Sequence, residues 1–362
     1  MILRKLILCV FPVFLTFYGC DPFNSEFGSV EKARYYVSDE ITDTEYHQVL
    51  RVMTWNVKFG GGRLDFFFDC HGDRVLMTST EVKSNLDGIV SAVNRIDPDV
   101  LLLQEIDVLS KRSAYIDQVK YILQRTALNY GVYASQWKSD FVPSDGIGRV
   151  DSGNAILSKY QLSHGERIAL PFISSQDSIT QYFYLKRNIL RVLVTLPDRI
   201  INVFNIHTSA YSDDGTKKDQ LDIFLSHLLE IDTQGEIFIA GGDFNTIPPG
   251  SDNLSDFPDS VCTNEDFIAD DYSGETDWLD GFYNQFIPAV SLSDYQEDNS
   301  SYFTHTTDKD GFWNRKLDYL WTNSPGGFKD TVTHQNEISG ADIKTMDLSD
   351  HAPISTVMEL NP

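Results

Sequence analysis

The residues best suited to chemistry lie at positions 241–245, Gly-Gly-Asp-Phe-Asn. They directly follow residues 236–240, a short apolar run that is typical of a buried strand. A carboxylate and a carboxamide two residues apart at a strand end can project into one cleft. Asp243 and Asn245 are therefore suited to hold a water molecule and a phosphate oxygen, and the glycines would allow close approach of a neighbour or ligand. The same residue types also form ordinary turns, so both interpretations stay open here.

Polar groups recur at the ends of other apolar runs. The set comprises two histidines, four carboxylates and two asparagines: Asn56, Glu105, His207, Asp243, Asn245, Asp318, Asp350 and His351. One such residue is usually a turn residue or a structural histidine. Eight together are poorly explained in that way, because sites in layered α/β proteins form at strand ends. Glu105 is notable, since a fully buried glutamate is rare unless it is paired or bound to a metal.

Alternating strands and helices are predicted to position these groups. Predicted strands cover residues 52–57, 100–103, 189–196, 201–206 and 237–240, and predicted helices cover residues 82–96 and 217–231. The helices are indicated by apolar residues at helical spacing. Asp97 and Pro98 are expected to end the first helix.

The composition indicates one large globular domain, which we expect to be a monomer. The chain is 41% hydrophobic and 12% aromatic, with a formal net charge of −24. No Lys or Arg occurs between Lys218 and Lys309. Proteins that grip duplex DNA neutralise phosphates with Lys and Arg, so the acidic surface disfavours a nucleic-acid partner without excluding one. The alternative is that the acidic surface serves only solubility.

The first 20 residues are typical of an export signal. A basic pair precedes an apolar run over residues 6–18, which is too short for a membrane span, and Cys20 follows. This end resembles a bacterial lipobox, although Phe17 and Tyr18 depart from its usual residues. We expect lipidation at Cys20 and a membrane anchor at the cell envelope, on its periplasmic or outer face. Simple cleavage and secretion is the alternative.

Two boundaries follow from this interpretation. Residues 21–48 are polar and unpatterned, so they are expected to form a tether, and residues 49–362 are expected to form the domain. The domain contains Cys70 and Cys262. An exported protein can oxidise such a pair to a disulfide, but two separate free thiols are an equal alternative. No Cys/His spacing resembles a zinc site.

Seven segments, in order, resemble the endonuclease/exonuclease/phosphatase superfamily of metal-dependent phosphoesterases. That family includes pancreatic deoxyribonuclease, abasic-site endonucleases, inositol-phosphate 5-phosphatases and bacterial sphingomyelinases. The matching segments are residues 54–57, 103–105, 153–158, 205–207, 242–245, 317–319 and 349–351. The resemblance covers about residues 50–360 and implies an α/β (α+β) fold. This fold is a four-layer sandwich of two packed mixed β-sheets flanked by helices, with the site at one edge.

The resemblance also implies roles for single residues. Glu105 would bind a divalent metal, helped by Asn56 and Asp350. Asp243 would orient the attacking water, and Asn245 would hold a phosphate oxygen. Hard oxygen ligands of this kind suit Mg²⁺, or alternatively Mn²⁺ or Ca²⁺.

Two histidines and an arginine complete the implied site. His351, oriented by Asp318, and His207 would flank the scissile phosphate for proton transfer and charge stabilisation. Arg187 would contact the phosphate, with a surface role as the alternative. Two insertions, at residues 59–81 and 248–285, are expected to border the cleft as a lid or wall, or to be outer decoration.

The expected function is therefore divalent-metal-dependent hydrolysis of phosphoester bonds by a phosphodiesterase or endonuclease-like enzyme. One alternative is an exported phosphatase or phospholipase C-type enzyme that acts on inositol phosphate or sphingomyelin. A non-enzymatic alternative is a tethered binding protein with a degenerate site.

Overall fold

The fold is built on two seven-stranded mixed sheets that pack face to face. The computed structural model describes residues 21–70, 72–210, 214–260, 262, 270–338 and 344–360. The predicted signal, residues 1–20 with the lipidation candidate Cys20, lies outside the described residues. Among the residues that are described, no helix is both long and apolar enough to cross a membrane.

The two sheets are called sheet A and sheet B. In spatial order, sheet A contains β1 (Val30–Lys32), β7 (Gln161–Ala169), β8 (Asn188–Thr195), β9 (Ile200–His207), β10 (Phe238–Asp243), β12 (Asp318–Thr322) and β11 (Ile287–Pro288). Sheet B contains β13 (Phe328–Thr333), β14 (Ile354–Glu359), β3 (Val49–Asn56), β4 (Val100–Asp107), β6 (Gly148–Ser158), β5 (Tyr130–Val142) and β2 (Arg34–Val37). Each sheet is mixed, because β9–β10 and β3–β4 pair in parallel while the other pairs are antiparallel.

Helices cover the outer faces of the sandwich. They are α1 (Ser79–Ile96), α2 (Gln118–Leu123), α3 (Ser178–Phe183), α4 (Thr216–Thr233), α5 (Asp280–Gln285), α6 (Leu292–Glu297) and α7 (Thr345–Leu348). A capping box between Thr78 and Glu81 begins α1, and Asp97, in the left-handed conformation, ends it before Pro98. Both long helices were expected from their apolar spacing.

The alternation of side chains along β4 shows how the layers form. Leu101 and Leu103 pack with the apolar face of α1, whereas Val100 and Leu102 lie in the core between the two sheets. Successive strand residues point to opposite faces, so one apolar run supplies two cores. Burying each such side chain contributes about 1.5–3 kcal/mol. On the other side of the molecule, α4 packs against the outer face of sheet A, which completes the expected four-layer sandwich.

A buried hydrogen-bond network of Gln104 and Asn205, called the Gln104–Asn205 lock, crosses the core between the sheets. The Asn205 side chain on β9 donates to the carbonyls of Leu103 and Ala155 in sheet B, at 2.8 and 2.9 Å. Gln104 on β4 donates in return to Asn205 Oδ1 at 2.7 Å. A buried polar group without partners is expensive, so this network opposes any slip of one sheet against the other.

The predicted tether at residues 21–48 is wrong, because part of this segment forms strands of the two sheets. β1 pairs with β7 in sheet A, and β2 pairs with β5 in sheet B, so this segment joins both sheets at their edges. These strands have three and four residues and are mostly exposed, so they carry little of the apolar alternation that reveals a strand. Their backbone groups instead satisfy sheet edges that would otherwise be open. The folded domain therefore begins before residue 49.

A disulfide joins Cys70 to Cys262, with the Cα atoms 5.8 Å apart. The two cysteines belong to the two insertions, so the bond links loops that are 192 residues apart in the chain. The alternative of two free thiols does not hold in this structure.

Gly242 allows two strands of sheet A to pair. Its φ is 133°, and a Cβ atom at this position would lie 1.9 Å from the carbonyl oxygen of Ile206 on β9. The expected close approach at this glycine is therefore to a neighbouring strand. Any side chain would force β10 away from β9.

We expect Gly242→Ala to lower the free energy of unfolding by about 3 kcal/mol, through both the clash and the unfavourable φ. Urea unfolding followed by circular dichroism measures the change. The matched control is Gly274→Ala, because nothing lies within 4 Å of a Cβ at that position. It should change stability by less than about 0.5 kcal/mol. Equal effects of the two substitutions would contradict this explanation.

Candidate active site

The strand ends bring the predicted site residues to one edge of the sandwich. Asn56 ends β3, His207 ends β9 and Asp243 ends β10. Asp318 begins β12 and pairs in register with Asp243, because β12 runs antiparallel to β10. The site thus draws on both sheets, as expected for groups at strand ends.

The Asp243 carboxylate is the centre of the cluster. Its Oδ2 receives the Asn56 amide at 3.0 Å and lies 3.4 Å from His207 Nε2 and 3.5 Å from His351 Nε2. Its Oδ1 receives the backbone N–H of Asn245 at 3.0 Å. Burial raises the pKa of Asp243 to about 7, although the positive charge of His351 opposes this rise. The carboxylate can therefore exchange a proton near neutral pH.

His351 and Asp318 form the predicted pair. His351 Nδ1 lies 2.8 Å from Asp318 Oδ2, so this nitrogen carries a proton and donates it. Burial lowers the pKa of His351, but the Asp318 and Asp243 carboxylates outweigh burial and raise the pKa to about 10. His351 is thus an imidazolium at neutral pH.

His207 has the opposite protonation state. Burial and the nearby charges of Arg187 and His351 lower the pKa of His207 well below its usual value. Two imidazoles, one charged and one neutral, therefore flank the same carboxylate. Such divergent pKa values in one cleft are typical of functional sites.

Glu105 enters the site through a bulge. The β4–β6 register shifts between Leu103 and Ile106, and Glu105 has a left-handed φ of 53°. A non-glycine residue in this conformation is strained by about 1–3 kcal/mol and is often found at functional sites. The side chain is 33% exposed, and its Oε1 receives the Asn56 amide at 3.1 Å. Burial and the Asp350 carboxylate raise the pKa of Glu105.

Asn56 and Asp350 have partners that were not foreseen. The Asn56 nitrogen, not its oxygen, faces Glu105, and the oxygen receives the backbone N–H of Lys58 at 3.1 Å. Asp350 lies 3.3 Å from the Lys58 ammonium, which also binds Asp69 at 3.1 Å. Lys58 is 8% exposed. Burial raises the pKa of Asp350, but Lys58 and His351 outweigh it and lower that pKa.

The Lys58 pairing also shows where the first insertion lies. Asp69 is next to Cys70, so the insertion places a carboxylate beside the site. In the second insertion, Asp259 binds the buried Arg315 at 2.9 Å and the backbone N–H of Thr307 at 2.6 Å. The first insertion therefore borders the site through Asp69, and the second packs through Asp259 on the loop that contains Thr306 and Thr307.

Asn245 and Arg187 both lie within the cluster. Asn245 has a φ of 48°, and its amide nitrogen donates one hydrogen to the Thr208 carbonyl at 3.0 Å. An amide nitrogen has two hydrogens, so one remains for a phosphate oxygen. Arg187 is 8% exposed and donates to Gln136 Oε1 at 3.0 Å. Burial lowers the pKa of Arg187, and its charge acts on Glu105, so the surface alternative does not hold.

The sequence analysis did not identify two further polar residues of the site. Asn154 is fully buried on β6, opposite the Glu105 bulge, and neither side-chain polar atom has a partner among the described residues. The matching segment 153–158 contained this asparagine, so its position was a usable signal. The His305 ring lies against the His351 ring at an interplanar angle of 49°, with the ring centroids 4.5 Å apart. His305 lies in an irregular loop, where no pattern points to a site.

The donor set fits a divalent cation. A carboxylate oxygen of Asp243 lies within 4.8 Å of one of Asp318, and an oxygen of Asp350 lies within 4.8 Å of a His305 ring nitrogen. His305 Nδ1 and Asp318 Oδ1 are buried without partners in the described part of the chain. Orphaned buried donors and acceptors of this kind are usual where a ligand, water or ion binds. Carboxylate oxygens suit a hard cation such as Mg²⁺.

We expect the His351 imidazole of the metal-free protein to titrate near pH 10, and we expect Asp318→Asn to lower this pKa towards 6.5. NMR of the ring nitrogens measures both pKa values. Because the folded pKa lies above the unfolded one, protonation stabilises the fold. That contribution is complete below about pH 6.5 and is lost as the pH rises to about 10. Asp330→Asn, an exposed control, should leave the titration unchanged, and a wild-type pKa near 6.5 would contradict the pairing.

Comparisons with known proteins identify the family and the fold. Residues 53–351 match the model of a family described as the Endonuclease/Exonuclease/phosphatase family. A search of curated proteins finds no significant match.

Solved structures share the fold at low sequence identity. An endonuclease/exonuclease/phosphatase from Beutenbergia cavernae DSM 12333 is 18% identical, with a TM-score of 0.55 and coverage of 87% of this chain and 72% of that chain. A family protein from Leptotrichia buccalis C-1013-b is 14% identical, with a TM-score of 0.52 and coverage of 85% and 98%. TDP2 of D. rerio is 16% identical, with a TM-score of 0.52 and coverage of 86% and 99%.

The TM-scores of these three structures, 0.55, 0.52 and 0.52, show a shared fold. The family model covers most of the chain and every predicted site residue between Asn56 and His351. The chain therefore belongs to the endonuclease/exonuclease/phosphatase family, whose members are generally phosphoester hydrolases.

Proposed function

We propose that the protein is a divalent-metal-dependent phosphodiesterase. The observation that carries this proposal is the buried Asp243 carboxylate, which lies between one charged and one neutral imidazole. Hydrolysis of a phosphodiester needs a positioned water, stabilisation of charge on the phosphoryl oxygens and a proton for the leaving group. The cluster contains a candidate group for each of these tasks.

Asp243 positions the water and accepts its proton. Its pKa of about 7 suits a general base at neutral pH, because the group is partly ionised and still basic. His351, held by Asp318, keeps its positive charge and can donate a proton to the leaving oxygen. His207 stays neutral on the other side of Asp243 and can donate a hydrogen bond to the phosphate.

Asn245, Asn154 and Arg187 hold the phosphate. Asn245 has one amide hydrogen available, and Asn154 has both of its polar atoms unpartnered among the described residues. Arg187 adds a buried positive charge. Such fixed donors stabilise developing charge without reorganisation during the reaction.

Glu105 and Asp350, with Asn56 beside them, are the residues that would hold Mg²⁺, Mn²⁺ or Ca²⁺. When bound, such an ion supplies a Lewis acid that polarises the phosphoryl oxygen. Lys58 already neutralises part of the Asp350 charge. Glu105 is therefore the main anionic anchor for the ion.

The charge pattern supports a small or single-stranded substrate over duplex DNA. Residues 219–308, which include Asp243 and the second insertion, contain no Lys or Arg. The D. rerio neighbour was solved with a single-strand DNA product, which makes single-stranded DNA a suitable test substrate.

Export and lipidation at Cys20 stay predictions from the sequence, and the Cys70–Cys262 disulfide is consistent with an oxidising compartment.

The test is a metal-supplemented substrate panel: bis-p-nitrophenyl phosphate, single-stranded DNA, plasmid DNA, sphingomyelin and inositol phosphates. We expect diester hydrolysis that EDTA abolishes and Mg²⁺ or Mn²⁺ restores. At physiological salt, single-stranded DNA should be cut at least about tenfold faster than the duplex, because the duplex demands more cationic contacts. His351→Ala should lower kcat by about 10²–10⁴-fold.

The control is His164→Ala, which removes an exposed histidine and should leave kcat unchanged. Turnover without metal, or normal turnover by His351→Ala, would contradict the proposed mechanism. Sphingomyelin or inositol phosphate as the best substrate would contradict the substrate assignment and favour a phospholipase C-type enzyme or a phosphatase. A protein inert on the whole panel would favour a tethered binding protein.

A further inference from the structure

A basic pocket lies at the edge where residues 21–37 cross from sheet A to sheet B. The cavity has a volume of about 370 Å³ and is lined by this segment and by residues of β5, β6 and β7. Five of its lining side chains are cationic and two are acidic: Lys32, Arg34, Lys138, Arg149 and Arg167, against Glu31 and Asp151. The whole chain has a net charge of −24, so this local excess of positive charge is unusual.

Arg167 is the buried centre of the pocket. It is 3% exposed, and its guanidinium donates to the carbonyls of Ser135 and Lys186, both at 2.9 Å. The Phe27 ring lies 3.9 Å from the guanidinium carbon. Nη1 is buried and has no partner among the described residues. Burial lowers the pKa of Arg167 to about 10, so the charge is poorly solvated.

Lys138 is a second cation whose hydrogen bond goes to an uncharged group. Its ammonium donates to the Asn24 side-chain oxygen at 3.3 Å. The two remaining arginines are partly neutralised, since Arg149 pairs with Asp140 at 2.7 Å and Arg34 lies 3.6 Å from Asp117. Arg167 and Lys138, together with the exposed Lys32, therefore carry the attraction for an anion.

The two acidic side chains of the pocket have other partners. Glu31 pairs in register with Arg167 across β1 and β7, but its carboxylate receives the backbone N–H of Gly28 at 2.6 Å. Asp151 accepts from Tyr133 at 2.7 Å and from Ser135 at 2.6 Å. Burial raises the pKa of Asp151, which lowers its tendency to carry charge. Neither acid therefore satisfies Arg167 Nη1.

We propose that this pocket is a binding site for a phosphate group, separate from the catalytic cluster. A guanidinium with a free N–H and an ammonium that line the same cavity suit the oxygen atoms and the charge of a phosphate. An anion would complete the hydrogen bonding of Arg167 and offset a buried cation that is otherwise costly. None of the pocket residues belongs to the candidate active site, so the proposal does not depend on the proposed catalytic function.

Two sources could supply the phosphate group: a free phosphate compound or a lipid headgroup. The pocket walls include Asn24 and Phe27, a few residues after Cys20. A lipid anchor at Cys20 would hold the pocket near the membrane surface. The experiment therefore separates a soluble ligand from a headgroup.

The first arm is a calorimetric titration of the protein with inorganic phosphate in EDTA. We expect binding that Lys138→Gln weakens by about tenfold, which is the change for one charge-assisted hydrogen bond. Arg167→Gln should weaken binding further. Because Arg167 also holds two backbone carbonyls, circular dichroism must first show that this variant folds, and Lys138→Gln decides the result if it does not.

Two controls separate this site from other sites. Lys83→Gln removes an exposed charge elsewhere and should not change the affinity. His351→Ala alters the catalytic cluster and should leave this binding intact. The second arm measures sedimentation with vesicles of phosphatidic acid or of phosphatidylcholine alone. Capture by phosphatidic acid that Lys138→Gln abolishes assigns the headgroup as ligand, whereas phosphate binding without capture assigns a soluble ligand.

The proposal is overturned if the protein binds neither inorganic phosphate nor phosphatidic acid. It is also overturned if His351→Ala abolishes the binding while Lys138→Gln leaves it unchanged, because the catalytic cluster would then be the phosphate site.

Discussion

The buried Asp243 carboxylate is the interaction on which the site depends. One of its oxygens lies within 3.5 Å of nitrogens from Asn56, His207 and His351, which come from both sheets. A buried carboxylate is tolerated only when it is well hydrogen-bonded, and loss of its partners would leave an uncompensated charge. The carboxylate therefore fixes three strand ends and the His351 loop relative to one another. The same convergence sets the pKa values that make the cluster reactive.

This arrangement requires two sheets that do not move against each other. The Gln104–Asn205 lock crosses the core one residue away from Glu105, so it supports the bulge that presents that carboxylate. Gly242 lets β10 approach β9 closely enough to place Asp243 beside His207. The Cys70–Cys262 disulfide links the two insertions, the first of which borders the site through Asp69. Glu105 and Asn245 have backbone conformations in the left-handed region, so the fold tolerates local backbone strain at the site.

Much of the fold and of the site could be predicted from the sequence, because strong apolar runs reveal central strands and polar residues at their ends reveal a site. Asp243 and His351 were found in this way. The edge strands at residues 30–37 could not be predicted, since short exposed strands show little apolar alternation. Lys58 and His305 were missed because their roles arise from contacts between distant segments. The pairing of Lys58 with Asp350 spans 292 residues and leaves no local pattern.

The central claim is that Asp243 acts as the base in metal-dependent hydrolysis. The most direct measurement is kcat for bis-p-nitrophenyl phosphate in Mg²⁺ with Asp243→Asn, which keeps the size of the side chain and removes its basicity. We expect kcat to fall by at least about 10²–10⁴-fold while circular dichroism shows a folded protein. A folded Asp243→Asn variant with near-normal kcat would contradict the claim.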